Sequence, residues 1–173
     1  MLGSAWLEIV VQHRALRGVL EELRTLFTQD RESFYLYMDV VVDFLKEVHT
    51  PIEDGLVFPK LQETCVGVSG RQIDIANTLS RLSADHKLIL TLGNTITTRG
   101  KAFDDDILRE RFEQFAKILL EHNTDEEELY QAVVKVCGES RVDSSLRIPE
   151  KVQKVIEAYG VERYRDFMRQ TNE

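Results

Sequence analysis

The sequence predicts an all-α protein: an up-down-up-down four-helix bundle with a short C-terminal helical appendage. Three observations predict it. Apolar residues recur at three- and four-residue spacing through four long segments, the signature of amphipathic helices. Only 3 prolines and 9 glycines interrupt 173 residues. The chain has 4 histidines, and each falls inside the apolar stripe of a different long segment.

Composition narrows the function classes. A hydrophobic content of 43% and a charged content of 30% are globular values. The net charge of −8 argues against nucleic acid and against anionic lipid as partners. No uncharged run is long enough to span a bilayer. The segment Met1 to Val11 lacks a basic stretch and carries Glu8, so no secretory signal is expected. Cys65 and Cys137 form no CxxC or zinc-like spacing. A disulfide between them is open to the chain, but free thiols in a reducing cytoplasm are the expected state.

The first segment spans about Ser4 to Thr28, with Trp6, Ile9, Val10, Leu16, Leu20, Leu23 and Phe27 in its stripe and His13 among them. Asp30 is a suitable N-cap for the second segment, about Arg31 to Phe58. Its stripe runs Met38, Val41, Val42, Leu45, Val48, Ile52 and Leu56, with His49 and Glu53 inside it. Pro51 should bend this helix or free a carbonyl. Pro59 should end it, with Phe58 pushed to extended geometry. Val66 to Gly70 is a loop by composition. The third segment, about Arg71 to Thr98, carries Ile73, Ala76, Leu79, Leu82, Ile89, Leu92 and Ile96, interrupted by His86. Gly93 within it permits close packing.

Asp104, Asp105 and Asp106 suit a helix N-terminus better than a metal site. The fourth segment, about Asp106 to Cys137, places Leu108, Phe112, Phe115, Leu119, His122, Glu126, Leu129 and Val133 at alternating four- and three-residue steps, a heptad seam. Gly138 to Ser145 reads as a polar connection. Pro149 suits a helix first turn, and two short helical patterns, Glu150 to Tyr159 and Val161 to Arg169, break at Gly160. Residues 1–138 are therefore expected to form the bundle and residues 139–173 an extension packed on it.

The chemistry lies in the polar residues of the stripes. His49 and Glu53 are four apart, so both project from one helix face about 5–6 Å from each other. The spacing returns at His122 and Glu126. An ionised carboxylate on a dry seam costs several kcal/mol unless it is paired or coordinates a cation. Glu126 stands among Leu119, Leu129 and Val133, and Glu53 between Leu45 and Leu56, with no Lys or Arg one turn away on the Glu126 seam. Two such carboxylates and four imidazoles call for a shared counter-charge, which metal supplies. Imidazole with carboxylate and no thiolate suits iron, manganese or zinc. Six ligands suit two metals: two bridging glutamates and two histidines for each ion, with a bridging oxygen and an open position on each. No Gly-rich phosphate loop, GxSxG or Cys–His pairing is present.

In order, His13, His49-x-x-x-Glu53, His86 and His122-x-x-x-Glu126 resemble the hemerythrin-like HHE cation-binding domain. Residues Val48 to Pro59 (VHTPIEDGLVFP) are similar to that family's second-helix signature, and Glu121 to Tyr130 (EHNTDEEELY) to its fourth-helix signature. The resemblance covers about residues 5 to 137. It implies a non-haem di-iron centre, with His13, His49, His86 and His122 as terminal ligands and Glu53 and Glu126 as bridges. Oxygen-carrying hemerythrins place a second histidine four residues from the first on the third helix; here the flanking positions are Leu82 and Leu90. The four-His, two-Glu set is closer to members linked to nitric oxide or peroxide chemistry, iron–sulfur cluster repair, or iron and oxygen sensing. Repair-type relatives usually carry a cysteine-bearing domain before the bundle, and none is expected ahead of His13. Ferritin-like bundles use Glu-x-x-His spacing instead.

Around the six, Tyr130 is placed to donate to a ligand or to pack in the core with its hydroxyl exposed. Asp54 and Asp85 are expected beside the site or at the surface, and Asp125 and Glu127 in solvent. Three functions follow: a module capturing dioxygen or nitric oxide, which is preferred; an oxidoreductase acting on peroxide or nitric oxide; or an iron-dependent sensor whose C-terminal segment reports to a protein partner. Self-association also stays open.

Overall fold

A computed structural model describes residues 4–65 and 74–169. The loop expected at Val66 to Gly70 and the third-segment start, Arg71 to Ile73, lie outside the described residues. Helix α1 spans Ala5–Gln29, capped by the Ser4 side chain accepting from the Leu7 amide. The second long rod is α2 (Arg31–Phe44), α3 (Thr50–Ile52) and α4 (Phe58–Thr64), joined by π-helical turns at Leu45–His49 and Glu53–Val57. As expected, Asp30 caps α2, accepting from the Ser33 amide. Helix α5 spans Ile75–Arg99 and α6 spans Asp105–Cys137. Asp104 is the N-cap residue of α6 and Asp105 and Asp106 occupy its first turn, a helix start as expected. Helix α1 packs on α2 and α6, α2 on α5, and α5 on α6, which closes the four rods into a ring.

The second rod departs from the sequence expectation. Pro59 does not end it: Phe58 is helical, with φ −61° and ψ −45°, and the rod continues to Thr64. Each proline is preceded by a wide turn. A proline lacks the amide donor and its ring crowds the carbonyl four residues back. In the π turns the Thr50 amide bonds to the Leu45 carbonyl and the Phe58 amide to the Glu53 carbonyl, so the chain absorbs the prolines without breaking. The second turn also delays the apolar stripe by one residue. Val57 and Phe58 are buried and Leu56 only half-buried, where simple helical spacing selects Leu56. His49 closes the first wide turn and Glu53 opens the second.

The core is aromatic toward one end, where Phe27, Phe34 and Phe112 meet edge-on and stacked. Gly93 lets α5 approach closely: a Cβ there would lie 2.7 Å from Val42 Cγ2 and 3.3 Å from Phe115 Cε2.

Two expectations for the C-terminal third are corrected. The stretch after α6 is not a connection but a further helix, α7 (Glu139–Leu146), entered through Gly138 at φ 86° and burying Val142 and Leu146. Cys65 and Cys137 are joined in a disulfide, with Cα atoms 5.7 Å apart. The bundle topology runs the second and fourth rods in the same direction, so their C-terminal ends meet although 72 residues separate them. The thiol argument for a reducing compartment is thereby removed. Helices α8 (Pro149–Tyr159) and α9 (Val161–Arg169) follow as expected, parted at Gly160. Helix α8 packs on the first π turn and on α3, and α9 packs on α1. No described helix is long and apolar enough to cross a membrane.

Gly93→Ala should destabilise the fold by about 1–2 kcal/mol in urea titration, because crowding against Val42 and Phe115 outweighs the alanine's better helix propensity. Cys137→Ser should lower stability by up to about 4 kcal/mol, the chain-entropy effect of so long a closed loop. Equal stability of that variant and the wild type would show that the sulfurs contribute no cross-link.

Candidate metal centre

Among the described residues, the fully buried polar side chains concentrate in one layer of the bundle. His13, His49, Glu53, His86, His122 and Glu126 are each no more than 3% exposed. The structure brings all six together, one histidine from each rod and one glutamate from each of the second and fourth.

Glu53 is the centre of the cluster. Its Oε1 lies 2.9 Å from His49 Nε2 and 3.4 Å from His13 Nε2. Its Oε2 lies 2.6 Å from His86 Nε2 and 3.6 Å from His122 Nε2. One carboxylate thus faces two histidine pairs, one pair to each oxygen. The groups His13, His49, Glu53 and Glu53, His86, His122 each bring three candidate metal-binding atoms within 4.8 Å of one another. Glu126 is not in either group. Its Oε2 lies 3.3 Å from His13 Nε2 and 4.0 Å from His122 Nε2, between the two pairs.

For three of the histidines the outward ring nitrogen explains why Nε2 points inward. His13 Nδ1 is 2.8 Å from Glu127 Oε1, His49 Nδ1 is 3.0 Å from Gln12 Oε1, and His86 Nδ1 is 2.9 Å from Asp54 Oδ2. Ser83 donates to the other Asp54 oxygen at 2.6 Å. His122 Nδ1 faces Asp85 Oδ2 at 3.7 Å, too far for a direct hydrogen bond. Carboxylate and amide oxygens only accept, so the Nδ1 atoms bonded to them carry a proton, and Nε2 is the nitrogen left to face the cluster.

Inside the cluster, ring nitrogens and carboxylate oxygens crowd one another. His86 Nε2 and His122 Nε2 approach to 2.9 Å. His49 Nε2, Glu53 Oε2 and both Glu126 oxygens are buried without a hydrogen-bond partner. Basic atoms crowded in this way, out of water, call for positive charge among them, from protons or from cations. The donor set, nitrogen and oxygen without thiolate, fits first-row metals.

Protonation follows the same crowding. Burial and the facing Glu53 push the Glu126 carboxyl well above the usual range. Burial works to raise Glu53 too, yet His49, His122 and His13 hold it well below that range. Burial opposes charge on His13, but Glu126 and Glu53 outweigh it and raise the imidazole to about 10. Burial likewise opposes charge on His86, which Asp54 and Glu53 raise to about 10. His49 is pulled down by burial. Protons therefore occupy the positions that cations would take, and metal uptake must release them.

A hemerythrin HHE cation-binding domain model matches residues 6–134. The chain belongs to the hemerythrin HHE family. This HHE domain binds metal through a histidine and glutamate cluster, and the match stops short of α7 to α9. No curated protein and no solved structure matches the chain.

Around the cluster, Asp125 lies at the surface and Tyr130 packs in the core, each an expected placement, while Glu127 does not stay in solvent. Glu127, expected in solvent, accepts from His13 and from Arg17, whose Nη2 lies 3.0 Å away. Asp125 pairs with Arg81 at 2.9 Å. Tyr130 stacks on Trp6 and donates to Asp143 at 3.0 Å, turned away from the histidines. Gln12 was missed, although it stands at stripe spacing between Ile9 and Leu16, where a polar residue is itself a signal. Asn123 was missed as well. It is completely buried, and neither of its amide atoms has a partner.

Glu126→Gln should leave the metal-free protein at least as stable as the wild type, because glutamine mimics the protonated carboxyl that burial favours. It should also diminish the rise in melting temperature expected when a divalent metal such as ferrous iron is added. Thermal melts with and without iron check both, and a large loss of metal-free stability would contradict this account of the cluster.

Proposed function

We propose that this HHE domain holds two iron ions and captures dioxygen, nitric oxide or a related small ligand. The observation that carries the proposal is Glu53, whose two oxygens each face a separate histidine pair. His13 and His49 would hold one ion, His86 and His122 the other, with Glu53 and Glu126 bridging. When bound, the metal pair supplies Lewis acidity and one-electron chemistry to a small ligand. Manganese or zinc would satisfy the same donors, and the family match together with the nitrogen and oxygen set supports iron.

The chain's own residues do the rest. Glu127, Gln12 and Asp54 orient three imidazoles and keep their protons on the outward nitrogens. Leu119, Leu82 and Ile89, all buried, help keep water from the layer. Asn123 lies three residues before Glu126 on the same helix face, and its unpartnered amide supports a polar visitor beside the cluster. Capture is favoured over turnover because the nearest tyrosine on α6, Tyr130, is committed to Asp143. The acidic side chains nearest the six, Glu127, Asp54 and Asp85, each face a histidine ring nitrogen.

Protein grown with iron should contain about two irons per chain. Reduced anaerobically and mixed in turn with nitric oxide, dioxygen and peroxide, it should give a reversible spectral change with a diatomic gas. Sustained gas evolution from peroxide would instead establish an oxidoreductase. Absence of bound metal under all loading conditions would remove the proposal.

A further inference from the structure

We propose that helix α9 acts on the metal centre through a file of hydrogen bonds, Tyr164–Glu8–Gln12, that sets the tautomer and orientation of His49. The His13–His49 position is thereby conditional on the docking of α9, while the His86–His122 position is not. The inference rests on the two-ion assignment above.

The file is continuous and directional. The Tyr164 hydroxyl on α9 donates to Glu8 Oε1. Gln12 Nε2 donates to the same oxygen at 3.2 Å, and Gln12 Oε1 accepts from His49 Nδ1 at 3.0 Å. Glu8 is 8% exposed and Gln12 is completely buried. A carboxylate has no proton to give, so Gln12 must turn its amino group toward Glu8 and its carbonyl oxygen toward His49. A carbonyl can only accept, so His49 carries its proton on Nδ1 and presents a bare Nε2 to Glu53. Without Tyr164, Glu8 loses the donor that fixes it in place, and the orientation of Gln12 is no longer imposed.

Packing couples the same two parts independently. Phe167 of α9 stacks on Phe44 with ring centroids 3.8 Å apart and planes within 9°. Phe44 immediately precedes the π turn that ends at His49, and lies nearly parallel to the His49 ring at 6.4 Å. Arg163 of α9 reaches Asp43 at 3.6 Å and Glu47 at 3.9 Å on the same stretch. Helix α9 therefore holds the His49 turn both by its flank and through the polar file. The other three histidines face partners within the bundle: Glu127 on α6, Asp54 in the second π turn and Asp85 on α5.

Coupling of this kind is reciprocal. Metal at the His13–His49 position should tighten α9, and loosening α9 should weaken that position alone. Tyr164 and Glu8 are thus positioning residues that act through Gln12.

The test is titration of the metal-free full chain with cobalt(II), followed by its absorption bands, in wild type, Tyr164→Phe and Glu8→Gln. Wild type should take two ions. Tyr164→Phe should weaken one of the two steps several-fold and leave the other unchanged, with circular dichroism confirming an intact fold. Glu8→Gln, which retains the tyrosine, should weaken the same step, and Gln12→Leu should do so most, by about 10–100-fold as for other groups that orient metal-binding histidines. Cobalt should slow amide hydrogen exchange in α9 of the wild type, and should slow it less in Tyr164→Phe. Two unchanged steps in Tyr164→Phe, or two equally weakened ones, would overturn the inference while leaving the two-ion assignment standing. A wild type that takes fewer than two ions would overturn that assignment first.

Discussion

The structure depends on one constraint: six acidic and imidazole side chains share a dry layer and crowd their basic atoms together. Glu53 is completely buried with four imidazole nitrogens around its two oxygens, and Glu126 is buried with neither oxygen bonded. Desolvation of such groups costs several kcal/mol each unless charge of the opposite sign sits among them. Protons do this in part, since burial and the facing carboxylates raise Glu126 and the carboxylates raise His13 and His86. Metal does it with the geometry the Nε2 atoms already present, so folding and metal binding draw on the same free energy.

The second rod adapts to this layer. A helix carrying Pro51 and Pro59 should break, yet two wide turns absorb the prolines and leave His49 and Glu53 at the points where the backbone changes its pitch. Wide turns of this kind are frequent at functional sites because they let one side chain be aimed without moving its neighbours. The remaining rods are ordinary α-helix across the layer and provide a stiff frame. Gly93 draws α5 against Val42 and Phe115, and the Cys65–Cys137 link closes the far end of the second and fourth rods.

Much of this was legible in the sequence. Heptad spacing placed His122 and Glu126 on a seam, and the repeated four-residue step from histidine to glutamate pointed to metal before any coordinate. What escaped has physical causes. Helical periodicity assumes a constant pitch, so it selected Leu56 where a π turn buries Val57 and Phe58. Proline rules describe the donor a proline lacks, not the wide turn that makes the lack harmless. The Cys65–Cys137 pair depends on which helix ends coincide, which spacing along the chain does not encode. Helix α7 has a polar composition and buries only Val142 and Leu146, too few positions for a periodic signal. Glu127 looked solvated because sequence gives a direction around one helix, not the arrival of His13 from another. Tyr164, far from every motif, joined the site only once α9 was seen against α1.

The central claim is that two cations neutralise this layer on either side of Glu53. Anomalous diffraction at the iron edge from crystals of the iron-loaded protein tests it most directly. The account predicts two anomalous peaks, one among His13, His49 and Glu53 and one among His86, His122 and Glu53, with Glu126 reaching both. A single peak, or iron bound elsewhere with the six side chains unmoved, would contradict it.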